Sequence, residues 1–132
     1  MVVEEAKDVL KIEAQGILSL VERVGPAFER AVDMIMKAKG RVIITGMGKS
    51  GLVGRKISAT LSSTGTPSFF LHPAEASHGD LGMVTGNDVV LAISNGGNTA
   101  EVNAILPLLK EMGAWVISFT GGVNSPMAMA SD

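Results

Sequence analysis

The sequence contains no cysteine, and this absence excludes several kinds of chemistry at once. Disulfide bonds, thiolate zinc sites and a cysteine nucleophile all require that residue. Long apolar stretches are also absent, since no run reaches the roughly 18 residues that a membrane-spanning helix needs. The amino terminus carries Glu4 and Glu5 and has no long apolar core, which is unlike a signal peptide. We therefore expect a cytoplasmic protein without a membrane partner.

Positive charge is scarce in the second half of the chain. Residues 57–132 contain six acidic residues and one basic residue, Lys110, and the net charge of the whole chain is −2. A nucleic-acid surface requires a basic stripe with interleaved aromatic residues, so we expect no nucleic-acid partner. A length of 132 residues, of which 46% are apolar and 18% charged, fits one globular domain.

Residues 4–38 are helical by the period of their apolar residues. A break at Gly25-Pro26 predicts two helices, over about 4–23 and 26–38, because proline cannot donate a hydrogen bond inside a helix. Their apolar face is longer than one face of a sheet usually needs. The helices either pack on the sheet or contact a second subunit, and the second alternative makes residues 1–38 a candidate oligomer contact.

Short β-branched runs alternate with helical patterns from residue 41 onward. The predicted strands are 41–45, 68–71, 89–93 and 115–119, and the predicted helices between them include 50–63 and 99–112. This alternation predicts an α/β fold with a parallel sheet, right-handed crossovers and helices on both faces. Because the chain ends soon after another helix begins near Ser125, we expect one further strand to be missing from the domain.

The first predicted strand ends in a glycine-rich loop, Gly-Met-Gly-Lys-Ser-Gly at 46–51, which matches G-x-G-x-x-G. The second strand ends at Leu71-His72, so the acid that a dinucleotide-binding domain places there for the ribose is missing. Ile43 stands where a Walker A motif has its first glycine. Glycines that only pack helix on strand are one alternative. A phosphate-binding loop is the other, and Lys49 and Ser50 beside Gly48 favour it.

The third predicted strand ends in Ser-Asn-Gly-Gly-Asn-Thr at 94–99. The hydroxyl groups of Ser94 and Thr99, the Asn95 amide and the glycine N–H groups can surround a phosphate at the positive end of the next helix. A simple helix N-cap at Thr99 is the alternative. Glu101 follows in the first turn of that helix, where a carboxylate could remove a proton next to a carbonyl group. Together the two loops predict a domain that binds a phosphorylated small molecule.

The two histidines, His72 and His78, flank a short segment after the second strand. With Glu75 and Asp80 they could hold a divalent metal ion. Their spacing matches no standard zinc motif, and histidines with a hydrogen-bonded structural role are the alternative.

Three segments of the chain resemble one family. They read G-M-G-K-S-G at 46–51, S-T-G-T-P-S-F-F-L-H-P-A-E-A-S-H-G-D-L-G-M-V at 63–84 and A-I-S-N-G-G-N-T-A-E-V at 92–102. They resemble the sugar isomerase (SIS) domains of D-arabinose 5-phosphate isomerases, and the run 63–84 is the most specific. The resemblance covers about residues 4–132. It implies a flavodoxin-like three-layer α-β-α sandwich, with 1–132 forming a SIS domain that is incomplete at its C-terminus.

The resemblance also implies an activity. It points to an aldose–ketose isomerase that interconverts D-arabinose 5-phosphate and D-ribulose 5-phosphate, a step toward the octulosonate sugar of lipopolysaccharide or capsule. No redox cofactor is required. Members of this family form homo-oligomers that share active sites between subunits. The resemblance therefore implies that this chain forms a dimer or tetramer. They also carry a later acid, a later histidine and a pair of CBS modules outside these 132 residues, so we expect poor activity of this chain alone.

By resemblance, Lys49 and Glu101 are the catalytic residues. His72 is the metal-sensitive position, where a zinc ion would bind. The substrate-binding positions that the resemblance and the loop patterns together mark are Gly48, Ser50, Gly65, Thr66, His78, Ser94, Asn95 and Thr99.

One loop departs from the family pattern. The family usually reads S-x-S-G-E-[ST], whereas this chain has Gly96 for the middle serine and Asn98 for the acid. One hydroxyl group is therefore lost from the expected phosphate site. This loss keeps open a second function, a non-catalytic sugar-phosphate-binding module or regulator. A nucleotide-binding oxidoreductase domain is a third, which the missing acid after the second strand disfavours.

Overall fold

The computed structural model describes all residues from 1 to 132. In chain order the helices and strands are α1 Val2–Leu18, α2 Pro26–Lys37, β1 Val42–Gly46, α3 Gly48–Ser63, β2 Ser68–Phe70, α4 Pro73–Ala76, β3 Val89–Ile93, α5 Ala100–Glu111, β4 Trp115–Phe119 and α6 Pro126–Met129. Single 3-10 turns lie at Val21–Arg23 and Asp80–Met83. Every predicted strand and helix is present, and β3 and β4 have the predicted bounds. The first helix ends at Leu18 rather than near residue 23, and the rest of its predicted range contains the 3-10 turn Val21–Arg23. No helix is both long and apolar enough to cross a membrane.

The chain divides into two compact units, residues 1–33 and 34–132. The first unit contains α1 and most of α2, separated by the predicted break, since Pro26 is the first residue of α2. No residue of α1 or α2 is buried. The large apolar side chains that this unit leaves exposed are Met1, Val2, Val3, Val9, Leu10, Ile12, Ile17, Leu18, Leu20, Val21, Val24, Phe28 and Val32.

The second unit is built on a four-stranded sheet in the order β2-β1-β3-β4, and all neighbouring strands are parallel. Val42 of β1 is paired with Val89 of β3, which in turn is paired with Trp115 of β4. Since the chain moves from β1 outward to β2 and then crosses to β3 on the other side, strand order reverses between β1 and β3. Ligands of such sheets bind where this reversal occurs.

Helix α5 covers one face of the sheet and supplies most of the core there. Its apolar residues Val102, Ile105, Leu106 and Leu109 are buried and pack in one cluster with side chains from β1, β3 and β4. The members that the strands contribute are Ile43, Val90, Ala92 and Val116. The spacing of the α5 residues places them on one side of the helix, so this helix forms by burying a single apolar stripe.

Helix α3 packs on the opposite face through small residues. Gly51, Gly54 and Ser58 are its buried residues. A Cβ atom on Gly54 would lie 2.9 Å from Cγ2 of Ile44, so the helix approaches β1 too closely for any side chain at that position. Because successive residues of a strand point to opposite faces, Ile43 faces α5 and Ile44 faces α3. The three layers of the predicted α-β-α sandwich are confirmed.

A buried carboxylate fixes the amino ends of β1 and β3. Asp88 accepts hydrogen bonds from the backbone N–H groups of Arg41 at 2.7 Å and Thr85 at 2.8 Å, and from the Thr85 hydroxyl group at 3.2 Å. Burial by itself would raise the pKa of Asp88. The hydrogen bonds from Arg41 and Thr85 and the nearby Arg41 guanidinium outweigh burial, so the pKa of Asp88 lies below its ordinary value of 3.8.

Candidate functional site

The two loops predicted to bind phosphate leave the sheet side by side. Gly46, the last residue of β1, is paired with Ile93, the last residue of β3. The segments 47–50 and 94–99 therefore begin on neighbouring strands at the carboxyl edge, where strand order reverses. Parallel strands lie about 4.8 Å apart, so side chains from both loops can reach one small ligand.

The loop after β1 uses its glycines for packing and leaves its polar side chains unpaired. A Cβ atom on Gly51 would lie 2.7 Å from the carbonyl oxygen of Gly46, so this pair lets α3 start close against β1. Gly48 has a φ of +57°, which favours glycine, and no other atom lies near the position of its missing Cβ. Lys49 is exposed and its ammonium group makes no hydrogen bond or ion pair. Packing thus explains two of the glycines, but it does not explain Lys49.

The loop after β3 is closed by a network of its own groups. The N–H of Gly97 donates to Oγ of Ser94 at 3.1 Å, and Oγ of Ser94 lies 2.8 Å from Oγ1 of Thr99. Ser94 and Gly97 are buried, whereas Asn95 is exposed. The predicted hydroxyl pair, Ser94 and Thr99, is therefore brought together, and each hydroxyl group has the other as its partner.

Two backbone carbonyl groups of the same loop accept hydrogen bonds from residues outside the loop. The Gly97 carbonyl accepts from Nδ2 of Asn103 at 3.0 Å and from the N–H of Met127 at 3.2 Å. The Asn95 carbonyl accepts from the N–H of Gly121 at 2.9 Å. The segment after β4 and helix α6 thus support the loop after β3. Sequence patterns did not indicate Asn103, because its partner is visible only in the folded chain.

The backbone N–H groups at the start of α5 are free to donate to an acceptor outside the chain. Thr99 is its N-cap residue, but no side chain caps the helix, because the Thr99 hydroxyl group is bonded to Ser94. In contrast, the side chains of His72 and Ser125 cap the short helices α4 and α6. The N–H groups of residues 98–101 have no acceptor within the chain. Glu101 lies in this turn, exposed and without a hydrogen bond or ion pair.

An open cavity of about 350 Å³ lies beside the first loop, at the carboxyl ends of β1 and β2. Its lining residues are Gly46, Gly48, Gly51, Leu52, Arg55, Phe70 and His72. The guanidinium carbon of Arg55 lies 4.3 Å from the centroid of the Phe70 ring, a cation–π contact, and Arg55 makes no ion pair. The sequence patterns did not indicate Arg55, although a basic residue two turns into the helix after a glycine-rich loop is a signal for such a position.

The histidines do not form a metal centre with their neighbouring acids. No group of three or more histidine, aspartate or glutamate side chains lies close enough together to hold an ion, so the four-residue site considered from sequence is not assembled. Nδ1 of His72 accepts the N–H of Ala74 at 3.2 Å and caps α4. His78 is exposed and its ring has no partner. A neutral His72 ring with Nδ1 as acceptor carries its proton on Nε2, so zinc binding would have to change this arrangement.

Two predicted substrate contacts lie at the other end of the sheet. Gly65 and Thr66 belong to the turn between α3 and β2, next to the amino end of β2. Gly65 has a φ of +100°, and the N–H of Thr66 donates to the Leu61 carbonyl at 2.9 Å, which explains both residues by turn geometry. Within a single chain, Gly65 and Thr66 do not lie beside the loops that follow β1 and β3. Their contact with substrate stays a prediction.

Comparison with known proteins gives a consistent result. Residues 34–132 match the family model of the SIS domain. The chain is 53% identical over 130 residues to the arabinose 5-phosphate isomerase KdsD of Pseudomonas aeruginosa and 49% identical over 129 residues to that of Escherichia coli K12, covering 98% of this chain in both cases. It spans about two fifths of these curated relatives, 40% and 39% of their lengths.

Solved structures show the same similarity. The crystal structure of a protein involved in capsule formation from Bacteroides fragilis NCTC 9343 has a TM-score of 0.94 at 40% identity, covering 100% of this chain and 71% of that one. E. coli CFT073 c3406 in complex with arabinose 5-phosphate has a TM-score of 0.80 at 46% identity, covering 97% of this chain and 70% of that one. The family match over three quarters of the chain, the identity to the KdsD proteins and the three-layer fold agree, and the chain belongs to the SIS domain family.

Proposed function

We propose that this chain is the SIS domain of an isomerase that interconverts D-arabinose 5-phosphate and D-ribulose 5-phosphate. The observation that carries the proposal is the uncapped first turn of α5, whose free N–H groups adjoin the Ser94–Thr99 loop and lie one strand away from Lys49. Such a turn binds anions through its N–H groups and the helix dipole. The identity to arabinose 5-phosphate isomerases and the sugar-phosphate complex of a 46% identical protein support this substrate.

The proposed chemistry moves one proton between adjacent carbon atoms. A base removes the proton from C2 of the open-chain aldose, and the C2–H electron pair forms an enediolate whose negative charge rests on the C1 oxygen. The hydroxyl proton then passes from the C2 oxygen to the C1 oxygen, and protonation of carbon C1 by the conjugate acid of the base completes the ketose. Glu101 is the proposed base, since its carboxylate is unpaired in the first turn of α5. Lys49 is the proposed cation that stabilises the enediolate.

A non-catalytic sugar-phosphate-binding module or regulator is the second candidate. It is favoured by the loop after β3, where Gly96 offers no hydroxyl group and the Asn98 amide is bonded internally, Nδ2 to the Gly96 carbonyl at 3.1 Å. This candidate predicts ligand binding without turnover. A direct assay for ribulose 5-phosphate therefore separates it from the isomerase.

Phosphate recognition is tested by thermal unfolding with matched sugars. A ligand that binds only the folded state stabilises it by about 2.7 kcal/mol at a hundredfold excess over Kd. Millimolar arabinose 5-phosphate should raise the melting temperature, and free arabinose should not. If the two sugars raise it equally, phosphate has no part in recognition. A shift with NADH instead would favour the nucleotide-binding alternative.

We further propose a cytoplasmic homo-oligomer, a dimer or tetramer, that works in synthesis of the octulosonate sugar. The exposed apolar surface of α1 and α2 supports self-association, and a phosphorylated sugar, being charged, does not cross a bilayer unaided. The proton transfer needs no cofactor. Zinc at His72 stays a separate proposal, tested by titrating zinc into the wild type and His72→Asn, a variant that keeps a residue able to cap α4.

A further inference from the structure

We propose that Asn103 is a positioning residue for the loop after β3, residues 94–99. From α5 its side chain holds the Gly97 peptide and so sets the orientation of that loop. This inference rests on the proposed function and concerns how the same site is prepared for its ligand. Asn103 lies in the first turn of α5, and its Nδ2 donates to the Gly97 carbonyl at 3.0 Å. Its side chain thus bridges the helix and the loop that precedes it.

The orientation of one carbonyl group determines that of the next N–H. In a trans peptide the C=O and the following N–H point in opposite directions, and the chain contains no cis bond. Because Asn103 on α5 and Met127 on α6 bind the Gly97 carbonyl, the N–H of Asn98 is turned away from both helices. That N–H has no acceptor in the chain, so it is free to bind a ligand oxygen.

The position leaves the Gly97 peptide little freedom. Gly97 has a φ of +70°, and a Cβ atom there would collide with Oγ of Ser125. Its N–H is already committed to Ser94. Rotation of the Gly97–Asn98 peptide is therefore controlled mainly by what holds the carbonyl, and the Asn103 amide is the side chain that does so.

The oxygen end of the Asn103 amide gives a second reason for this role. Its Oδ1 is buried and has no hydrogen-bond partner. A buried acceptor without a partner is unfavourable and calls for an explanation. Asparagine is also a poor residue inside a helix. The bond from Nδ2 to Gly97 is the contact that compensates, and because Oδ1 is inaccessible, Asn103 acts through the loop rather than on the ligand itself.

The test compares arabinose 5-phosphate binding by calorimetry for the wild type, Asn103→Ala and Asn124→Ala. Asn124 is an exposed asparagine whose side chain has no hydrogen bond, so its variant controls for amide loss near the site. Loss of one neutral hydrogen bond in the loop should weaken binding about three- to tenfold in Asn103→Ala, and Asn124→Ala should bind like the wild type. Backbone NMR of Asn98 supplies a readout that a merely structural role would not move. Its amide proton should shift downfield with ligand in the wild type and much less in Asn103→Ala.

Each outcome decides between the two claims. If the wild type distinguishes arabinose 5-phosphate from arabinose but Asn103→Ala binds with unchanged affinity and an unchanged Asn98 shift, the positioning role is wrong and the proposed function stands. If the wild type does not distinguish the two sugars, the proposed function fails and the positioning role with it. Should Asn103→Ala fold poorly, Asn103→Leu replaces it, because leucine has a similar size, lacks the donor and adds no charge beside the bound phosphate. Wild-type affinity in Asn103→Leu overturns the inference in the same way.

Discussion

Asp88 shows how a single buried carboxylate holds the amino ends of two strands. Replacing it with asparagine leaves one acceptor oxygen for the two N–H donors of Arg41 and Thr85. We expect Asp88→Asn to destabilise the fold by about 1–3 kcal/mol, the usual cost of an unmatched buried polar group. Chemical denaturation at pH 7 measures this change. The control is Asn87→Asp, which changes the exposed residue next to Asp88 and should have little effect on the free energy of unfolding.

The same residue predicts how stability depends on pH. The pKa of Asp88 is lowered in the folded chain, so the folded state keeps its carboxylate charged at pH values at which the unfolded chain binds a proton. The contribution of Asp88 to the free energy of unfolding is therefore complete above about pH 4, near the carboxyl pKa of the unfolded chain. It is lost as the pH falls through the lower pKa that Asp88 has in the folded chain. The free energy of unfolding should fall less steeply below pH 4 in Asp88→Asn. An equal slope in both proteins would contradict this assignment.

Gly96 is one of the two residues, with Asn98, at which this loop departs from the pattern that the resemblance implies. Its φ is not positive, and the nearest atom to a Cβ placed there is Nδ2 of Asn98 at 3.8 Å, an ordinary contact. Serine can therefore occupy the position without strain. We expect Gly96→Ser to bind arabinose 5-phosphate more tightly, because a hydrogen bond to a charged group contributes about 1.5–3 kcal/mol.

Titration calorimetry measures this gain, and Gly96→Ala separates the hydroxyl group from the effect of a Cβ. An alanine variant that improves affinity as much as the serine variant would mean that chain stiffening is responsible. Unchanged affinity in both would show that the loop holds its ligand through backbone N–H groups alone.

At the scale of elements, α1 and α2 expose an apolar surface that an isolated helix pair cannot bury. Neither helix contains a buried residue, and Leu10, Ile12 and Ile17 are each more than 60% exposed. Apolar side chains exposed in this number favour a protein interface. We expect the chain to be a dimer or tetramer in solution and a chain without residues 1–24 to have a lower oligomeric mass.

Light scattering at micromolar concentration measures both masses. A variant with Lys7 and Lys11 replaced by alanine is a suitable control, since these side chains pair only with Glu4 and Asp8 on the surface of α1. It should keep the mass of the wild type. A monomeric wild type would contradict the prediction.

At the scale of the whole molecule, these 132 residues contain few groups that can exchange protons with a sugar. Lys49, Glu101 and His78 are the candidates, and the later acid and histidine expected from the resemblance are not among these residues. Loss of one general acid or base usually lowers the rate about 10²- to 10⁴-fold. We expect the chain to bind arabinose 5-phosphate and to isomerise it at least a hundredfold more slowly than the full-length Pseudomonas aeruginosa relative, by the same principle.

Direct measurement of ribulose 5-phosphate tests this expectation, with the relative as positive control. Turnover within tenfold of the relative would show that the groups in this chain suffice. In that case Glu101→Gln should abolish turnover, while Glu111→Gln, an exposed acid at the far end of α5, should leave it unchanged.

The elements of this fold could be predicted from sequence because their signals are local. The β-branched runs of β3 and β4 are bounded closely by glycine and polar residues, and both strands have the predicted ends. The sequence pattern predicts that α3 begins at Ser50, two residues after its observed start at Gly48. Gly48 is the first helical residue although its φ is positive, and a sequence pattern does not indicate so tight a start.

The sequence by itself determined the order of strands and helices along the chain, the parallel direction of the strands and the two polar loops at the carboxyl edge of the sheet. Periodicity, glycine spacing and the alternation of elements act over a few residues, so they can be read along the chain. Only the tertiary structure decided the partners of side chains that are distant in sequence or on separate elements. It paired Arg55 with Phe70, used His72 as a helix cap rather than assembling a metal centre, placed Gly65 at the opposite end of the sheet, and joined Asn103 to Gly97. These contacts depend on how α3 and α5 pack on opposite faces of the sheet, and packing is a property of the whole chain.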